Sequence, residues 1–213
     1  MEIIKAEEAH IGIHAAELAD LAYSTGPVSY DYHFSTRRLF DKAVLASMRR
    51  AETLFGWDAM HLAMDGKELL GFLVSYHAPE FRERIDALAP AWLEMLEAGE
   101  ITEEEVAGVL ERSEHARWLN PETRPGVYFV HALAVKPEHR GKRIGHALLK
   151  HAMELGRGHE HGALELDVLS DNPAVAFYRS MGLELLAETR APKPMEFGVP
   201  PEYRMGMKLG EES

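Results

Sequence analysis

The chain is 213 residues long, 46% hydrophobic and 27% charged, which is enough apolar content for one well-filled core and little for a second. Its 35 acidic and 23 basic residues give a formal charge of −12, a surface that repels a phosphate backbone and argues against nucleic-acid binding. Cysteine is absent, so disulfides, thiolate metal sites and a cysteine nucleophile are excluded. No apolar run reaches the roughly 18–20 residues of a membrane helix. The opening MEIIKAEEAHIGIH lacks the basic-then-apolar order of a secretory signal. A single domain over 1–213, in the cytoplasm and away from membranes, is the expectation.

In chain order, EIIK (2–5) predicts a first strand, and Ile11, Leu18, Leu21 and Ala22 fit a helix over about 10–23. STGPVSYDYHF (24–34) reads as a loop punctuated by Gly26-Pro27. Leu39, Phe40, Val44, Met48 and Leu54 recur at helical steps, predicting a helix over 36–55. MHLAM (60–64) and ELLGFLVSY (68–76) flank Asp65-Gly66, a strong hairpin signal. Residues 79–119 are rich in Glu, Ala and Leu without a strand pattern, and read as two inserted helices, one beginning near 103 behind the capping-box pair Thr102 and Glu105. Asn120-Pro121 and Pro125-Gly126 close the insertion, which spans about 79–120. VYFVHALAV (127–135) reads as a buried strand. A helix over 143–156, a strand ALELDVL (163–169), a helix from Pro173 to Met181, and the strands LELLAET (183–189) and YRMGMKL (203–209) follow. The sum is an α/β domain with a mixed sheet.

The chemistry concentrates in HALAVKPEHRGKRIGHALL (131–149). A strand ends at Val135, a turn follows, and a helix opens after Arg140-Gly141-Lys142-Arg143-Ile144-Gly145-His146. The first N–H groups of a helix lack partners and sit at the positive end of its dipole. Small residues let a ligand approach them, which makes a pyrophosphate cradle. The same spacing also fits an ordinary strand–turn–helix with a basic start. Neither GxxxxGK[ST] nor GxGxxG is present.

Residues 140–145 resemble the [Q/R]-x-x-G-x-[G/A] motif of the GNAT superfamily of N-acetyltransferases, and 133–149 looks like that family almost throughout. SDNPAVAFYRSMGL (170–183) resembles the family's fourth helix, with Asn172 and Tyr178 in its cofactor-facing places. The resemblance implies a twisted mixed sheet of six to seven strands flanked by helices, with the insertion between the third and fourth strands. It implies acetyl-CoA as co-substrate and direct acetyl transfer to an amine, without a metal. Arg143 stands where the motif has glycine, and a positive φ there would strain it. Leu133, Ala134 and Val135 would border the cofactor arm, with the N–H of Leu133 toward the acetyl carbonyl. Residues 140–146, Asn172 and Phe177 would hold the rest, and the Tyr178 hydroxyl would protonate the departing thiolate. HALAV is similar to the matching strand of the arylalkylamine N-acetyltransferases, where a histidine serves amine deprotonation. His131 is therefore the candidate base.

Tyr30, Tyr32 and His33 are candidates for the acceptor pocket, since aromatic rings hold cationic or aryl amines. They fit equally a loop packed on the core. A small-molecule amine is the expected acceptor, with a protein or peptide amine, or a turnover-free acyl-CoA-binding module, as alternatives. The insertion covers this opening or makes an oligomer contact, with a homodimer in view. His159-Glu160-His161 has i, i+2 spacing in a glycine-flanked turn, unlike a helical zinc site, and reads as solvated.

Overall fold

The structure, a computed structural model, describes residues 1–119 and 124–210. The expected closing pair Asn120-Pro121 lies outside them. Seven strands form one mixed sheet: β1 (Glu2–Lys5), β2 (Met60–Asp65), β3 (Glu68–His77), β4 (Val127–Val135), β5 (Ala163–Leu169), β6 (Glu184–Thr189) and β7 (Glu202–Lys208), in the order β1-β2-β3-β4-β5-β7-β6. The β4–β5 pair is parallel and the other pairs are antiparallel. The β2–β3 hairpin turns at Gly66, whose φ of +59° is the left-handed value such a turn requires.

One face of the sheet packs on α1 (Glu8–Ser24) and α3 (Arg37–Met48), burying Ile11, Leu18, Phe40, Val44 and Met48 against Leu62, Phe72 and Phe129. The other face packs on α7 (Ile144–Gly158) and α8 (Ala174–Ser180), through Leu148, Leu149, Ala152, Val175 and Tyr178. The apolar positions of α7 fall at three- and four-residue steps, which aims one stripe at the sheet.

Three expectations need correction. Residues 24–34 are not a loop: α2 (Pro27–Phe34) is a helix with Pro27 at its start. Proline's fixed φ suits the first turn of a helix, so Gly26-Pro27 marks a helix entry here. Aromatic packing then overrides weak propensity, with Tyr30 against Phe40 at 4.6 Å between ring centroids and Tyr32 against Phe197 at 5.5 Å. The insertion holds three helices rather than two: α4 (Glu80–Asp86), α5 (Ala89–Glu97) and α6 (Glu103–Ala116). Pro90 is confined to a first turn because it lacks an N–H, so α4 and α5 cannot be one helix. The third correction is that the helix expected over 36–55 ends at Met48. The chain folds back there so that Ser47 Oγ accepts from Phe55 N–H at 2.9 Å. A short helix α9 (Pro192–Phe197), unforeseen in the sequence, packs against α6 and α2.

The capping box at α6 is formed as expected, Thr102 Oγ1 accepting from Glu105 N–H and Glu105 Oε2 from Thr102 N–H. The insertion clamps to the body through Leu39 with Met95, Ile101 and Val109, and through Tyr32 with Ala116 and Leu119. It lies on the α1–α3 side, as a cover. Among the described residues, no helix is long and apolar enough to cross a membrane.

Candidate active site

The parallel strands β4 and β5 pair only from Val127 to Val130 against Ala163 to Leu166. Beyond that point they part, and residues 131–135 face a gap. The cause lies on the other side of β4. Its register with β3 steps from Ser75↔Val130 to Val74↔Ala132, leaving His131 as the extra residue of a β-bulge. A bulge bends its strand and sharpens the local twist.

Lys136 N–H bonds to Leu70 O at 2.9 Å. By the alternation of an antiparallel ladder, Ala134 and Ala132 bond to β3, and the N–H groups of Leu133 and Val135 turn into the gap. Arg140 Nε donates to Val135 O at 3.3 Å from that same side. The Leu133 and Val135 backbones thus face the gap. Ala134 differs: its polar backbone serves β3, and its side chain joins the core of the α1–α3 face.

The gap opens onto the start of α7. The first helical bond there runs from Ala147 N–H to Arg143 O at 3.1 Å. No backbone bond is seen for the N–H groups of 141–146 among the described residues. These N–H groups lie at and just before the positive end of a 15-residue helix. Gly141 has φ +78°. Arg143 is the helix N-cap with φ +62° and ψ +15°, in the left-handed region. The strain foreseen for a non-glycine residue here is therefore present. Lys142, Arg143 and His146 lie exposed around this corner, and Ile144 anchors it in the core. A Cβ on Gly145 would lie 3.7 Å from Val135, 3.8 Å from Phe177 and 3.9 Å from Leu133, so this glycine stands where strand, helix and α8 converge.

The α8 residues complete the corner. Asn172 Oδ1 accepts from Ala174 N–H at 2.9 Å, and its Nδ2 donates to Thr25 O at 3.3 Å. Tyr178 is buried, packed beside Phe177, and burial pushes its phenol up to about 12. Its hydroxyl makes no hydrogen bond to the described residues.

His131 is held by a ring of aromatics: Phe55 at 4.8 Å, Tyr76 at 6.0 Å and Phe81 at 6.1 Å. Among the described residues, its Nε2 is buried without a partner, as is the Tyr76 hydroxyl. Burial, and then the Arg84 guanidinium, bring the His131 imidazole down to about 3. Burial thus favours the neutral form of the ring.

The sequence reading missed the charged groups of this face. Arg84 lies over the Tyr76 ring at 4.8 Å and is tied to Asp58 at 3.0 Å and Glu80 at 2.8 Å. Arg204 grips Asp167 with two bonds, Nε–Oδ1 at 2.5 Å and Nη2–Oδ2 at 2.8 Å, and reaches Glu165 at 3.4 Å. Glu202 lies nearby, its carboxyl raised to about 8 by burial and then by Asp167. Glu165 and Asp167 alternate along ALELDVL, a signal of two acids on one strand face; Glu202 and Arg204 carry none, because only the sheet register places them here.

The three acceptor candidates separate. Tyr30 turns inward, its hydroxyl 3.2 Å from Thr25 Oγ1. Tyr32 faces the other way, lining a cavity of about 460 Å³ with Asp31, Ser35, Arg112 and Phe197. His33 Nδ1 bonds to Ser29 O at 2.8 Å and is committed to its own helix. His161, expected in a solvated turn, instead meets His77 at 2.6 Å. Among the described residues, no group of three or more His, Asp or Glu side chains is placed to hold a metal ion.

Comparison with known proteins bears on the family and the fold. The sequence profile described as the acetyltransferase (GNAT) family matches residues 28–183. A 63-residue stretch, 29% of this chain, is 40% identical to the N-alpha-acetyltransferase RimI of Mycobacterium tuberculosis, and that stretch spans only 38% of the relative. The N-acetyltransferase of Staphylococcus aureus Mu50 shares the fold at TM-score 0.71 and 15% identity, over 97% of this chain and all of that one. The ribosomal-protein-S18-alanine N-acetyltransferase of Escherichia coli shares it at TM-score 0.55 and 15% identity, over 100% and 96%. With a profile match over most of its length, and a splayed β4–β5 pair leading to a helix start rich in free N–H groups, the chain belongs to the acetyltransferase (GNAT) family of acyltransferases.

Proposed function

We propose that this chain transfers an acetyl group from acetyl-CoA directly to a primary amine, and that the acceptor is a small cationic molecule. The observation that carries this reading is the gap itself. One wall offers the N–H groups of Leu133 and Val135, one end offers the donors of 141–146, and Tyr178 stands beside it. Amide-bearing pantetheine suits the strand edge, and a pyrophosphate suits the helix start. Lys142 and Arg143 add positive charge to that end of an otherwise acidic protein. Backbone donors aimed at a thioester carbonyl stabilise negative charge that develops there. Tyr178, protonated at every working pH, is suited to hand its proton to a departing thiolate of pKa about 8.5. Asn172 fixes the start of α8 and so the place of Tyr178.

The small-molecule reading rests on the cover formed by α2, α6 and α9 on the acceptor face, with Tyr32, Ala116, Leu119, Leu169, Ala191 and Val199 closing together. A second reading, acetylation of a protein N-terminus, is favoured by the local identity to a RimI protein.

Calorimetric titration with acetyl-CoA, followed by a thiol-release screen over a diamine, an arylalkylamine and a peptide with a free N-terminal alanine, tests both readings. One cofactor per chain and turnover with the small amines is the expected result; turnover with the peptide alone transfers the conclusion to the second reading. Tyr178→Phe should lower kcat by about 10²-fold or more while leaving acetyl-CoA affinity unchanged. Absence of binding up to about millimolar, weaker than about −4 kcal/mol, overturns the proposal.

A further inference from the structure

We propose that Glu17 is a positioning residue for the cofactor: with Lys136 it anchors the second half of α1 as a strut across the β4–β5 gap, and the strut holds the gap at the width that the pantetheine arm needs. This rests on the acetyl-CoA reading above and adds to it a residue that precedes the 28–183 span of the family match.

The helix crosses the gap from one side to the other. α1 packs over β3 and β4, and the chain leaves it at Gly26, where a Cβ would lie 4.0 Å from Leu169 of β5. Leu169 borders the opening, because Leu166 is the last β5 residue paired with β4. α1 is tied to each side once. On the β4 side, the Glu17 carboxylate bonds to Lys136 Nζ. Lys136 directly follows β4, and its own N–H is fixed on Leu70 O at 2.9 Å. On the β5 side, the Thr25 carbonyl at the helix end accepts from Asn172 Nδ2 at 3.3 Å. Eight residues separate Glu17 from Thr25, which is about 12 Å of helix. Paired strands lie about 4.8 Å apart. The two ties thus stand well beyond a strand spacing, and the helix between them does not shorten.

The first half of α1 is not part of this strut. His14 leaves helical geometry, with φ −110° and ψ +17°, so the segment from Ala15 onward takes its own direction. His14 itself spans the bend, its Nδ1 2.7 Å from Glu17 Oε2. Glu17 therefore meets a partner with each oxygen, Lys136 at Oε1 and His14 at Oε2. These bonds, that to Lys136 first, lower its carboxyl below the ordinary value and favour the anion. The Lys136 side chain is only 16% exposed, which withdraws the pair in part from the water that screens surface charges. The sheet does not depend on this pair, since β4 is held by its ladder to β3 as far as Val135. Breaking the pair should loosen the strut and leave the strand in place.

The test is a double-mutant cycle in acetyl-CoA binding, read by calorimetry on wild type, Glu17→Gln, Lys136→Met and the double variant, with melting temperature alongside. Glu17 is 41% exposed, so the effect is modest. Each single variant should weaken acetyl-CoA binding by about threefold to fivefold, and the double variant by no more than either single one. Under turnover, KM for acetyl-CoA should rise by the same factor while kcat stays constant, because the strut touches no reacting atom. Losses that multiply in the double variant would overturn the proposal, as would a fall in kcat alone. Full affinity in the variants would overturn the strut alone, whereas a wild type that does not bind acetyl-CoA would overturn the acetyl-CoA reading and the strut with it. Amide hydrogen exchange of the wild type reads the strut without any variant. By linkage, a cofactor favoured by the anchored strut must stabilise it in turn, so acetyl-CoA should slow exchange over 15–24 as well as over 131–135. Slowing at 131–135 with none at 15–24 would overturn the assignment.

Discussion

At the scale of single residues, Arg143 sets affinity against strain. Its φ of +62° is a conformation that L side chains adopt at a cost of about 1–2 kcal/mol. Arg143→Gly removes that strain but widens the choices of the unfolded chain. A net gain of about 1 kcal/mol is expected, seen as a melting temperature raised by about 2–4 °C. The arginine is exposed, so its charge contributes at most about 1 kcal/mol to holding a phosphate in physiological salt. Acetyl-CoA affinity should therefore weaken by about fivefold at most in the variant, a change measurable in the same calorimeter. A lower melting temperature would show that the loop needs the side chain for a contact of its own.

At the scale of elements, the site depends on how closely β3 holds β4. Gly71 opposes Val135, and a Cβ there would come within 2.5 Å of the Ala134 carbonyl oxygen and 3.1 Å of the Val135 Cα. Both are backbone atoms, which cannot rotate away. Gly71→Ala must push β4 toward the gap, with a destabilisation of about 1–3 kcal/mol and a larger proportional loss of acetyl-CoA binding than of fold. Denaturant melts and calorimetry on one preparation separate the two. Unchanged cofactor affinity in a folded variant would show that the Leu133 and Val135 N–H groups are not the cofactor's wall.

At the scale of the whole molecule, two kinds of buried titratable group pull stability in opposite directions with pH. His131 and His61 are brought down by burial to about 3 and about 4. The unfolded chain binds their protons first, near pH 6.5, so their contribution is present above that pH and is lost as pH falls through the lowered values. Glu202 is raised to about 8 from an ordinary 4.5. Its contribution is full below 4.5 and is lost as pH rises to 8. The melting temperature should therefore be highest near pH 6.5, falling toward acid as the unfolded chain's histidines take up protons and declining from 6.5 to 8 as Glu202 loses its contribution. Glu202→Gln should abolish the second decline while leaving the first, and a decline that persists in the variant would assign it to another group.

The turn and helix start at 140–146, the Asn172–Tyr178 helix and the hairpin at Asp65-Gly66 were legible in the sequence because each is made by neighbours in the chain. A helix start, a turn and a capping box depend on residues within about four positions, and their signals survive without knowledge of the fold. His131 stood out in the sequence as a candidate, but its protonation was not legible there. That depends on Phe55, Tyr76, Phe81 and Arg84, which come from three other parts of the chain. The loop read at 24–34 became a helix because its aromatics found partners as distant in sequence as Phe197. Glu202 and Arg204 carried no local mark at all. The strand register across β5, β7 and β6 brings them to the gap, and burial there sets their charge. Local chemistry thus marked the helix start at 140–146 and the Asn172–Tyr178 helix, while long-range pairing and desolvation decided the surroundings of His131, Glu202 and Arg204.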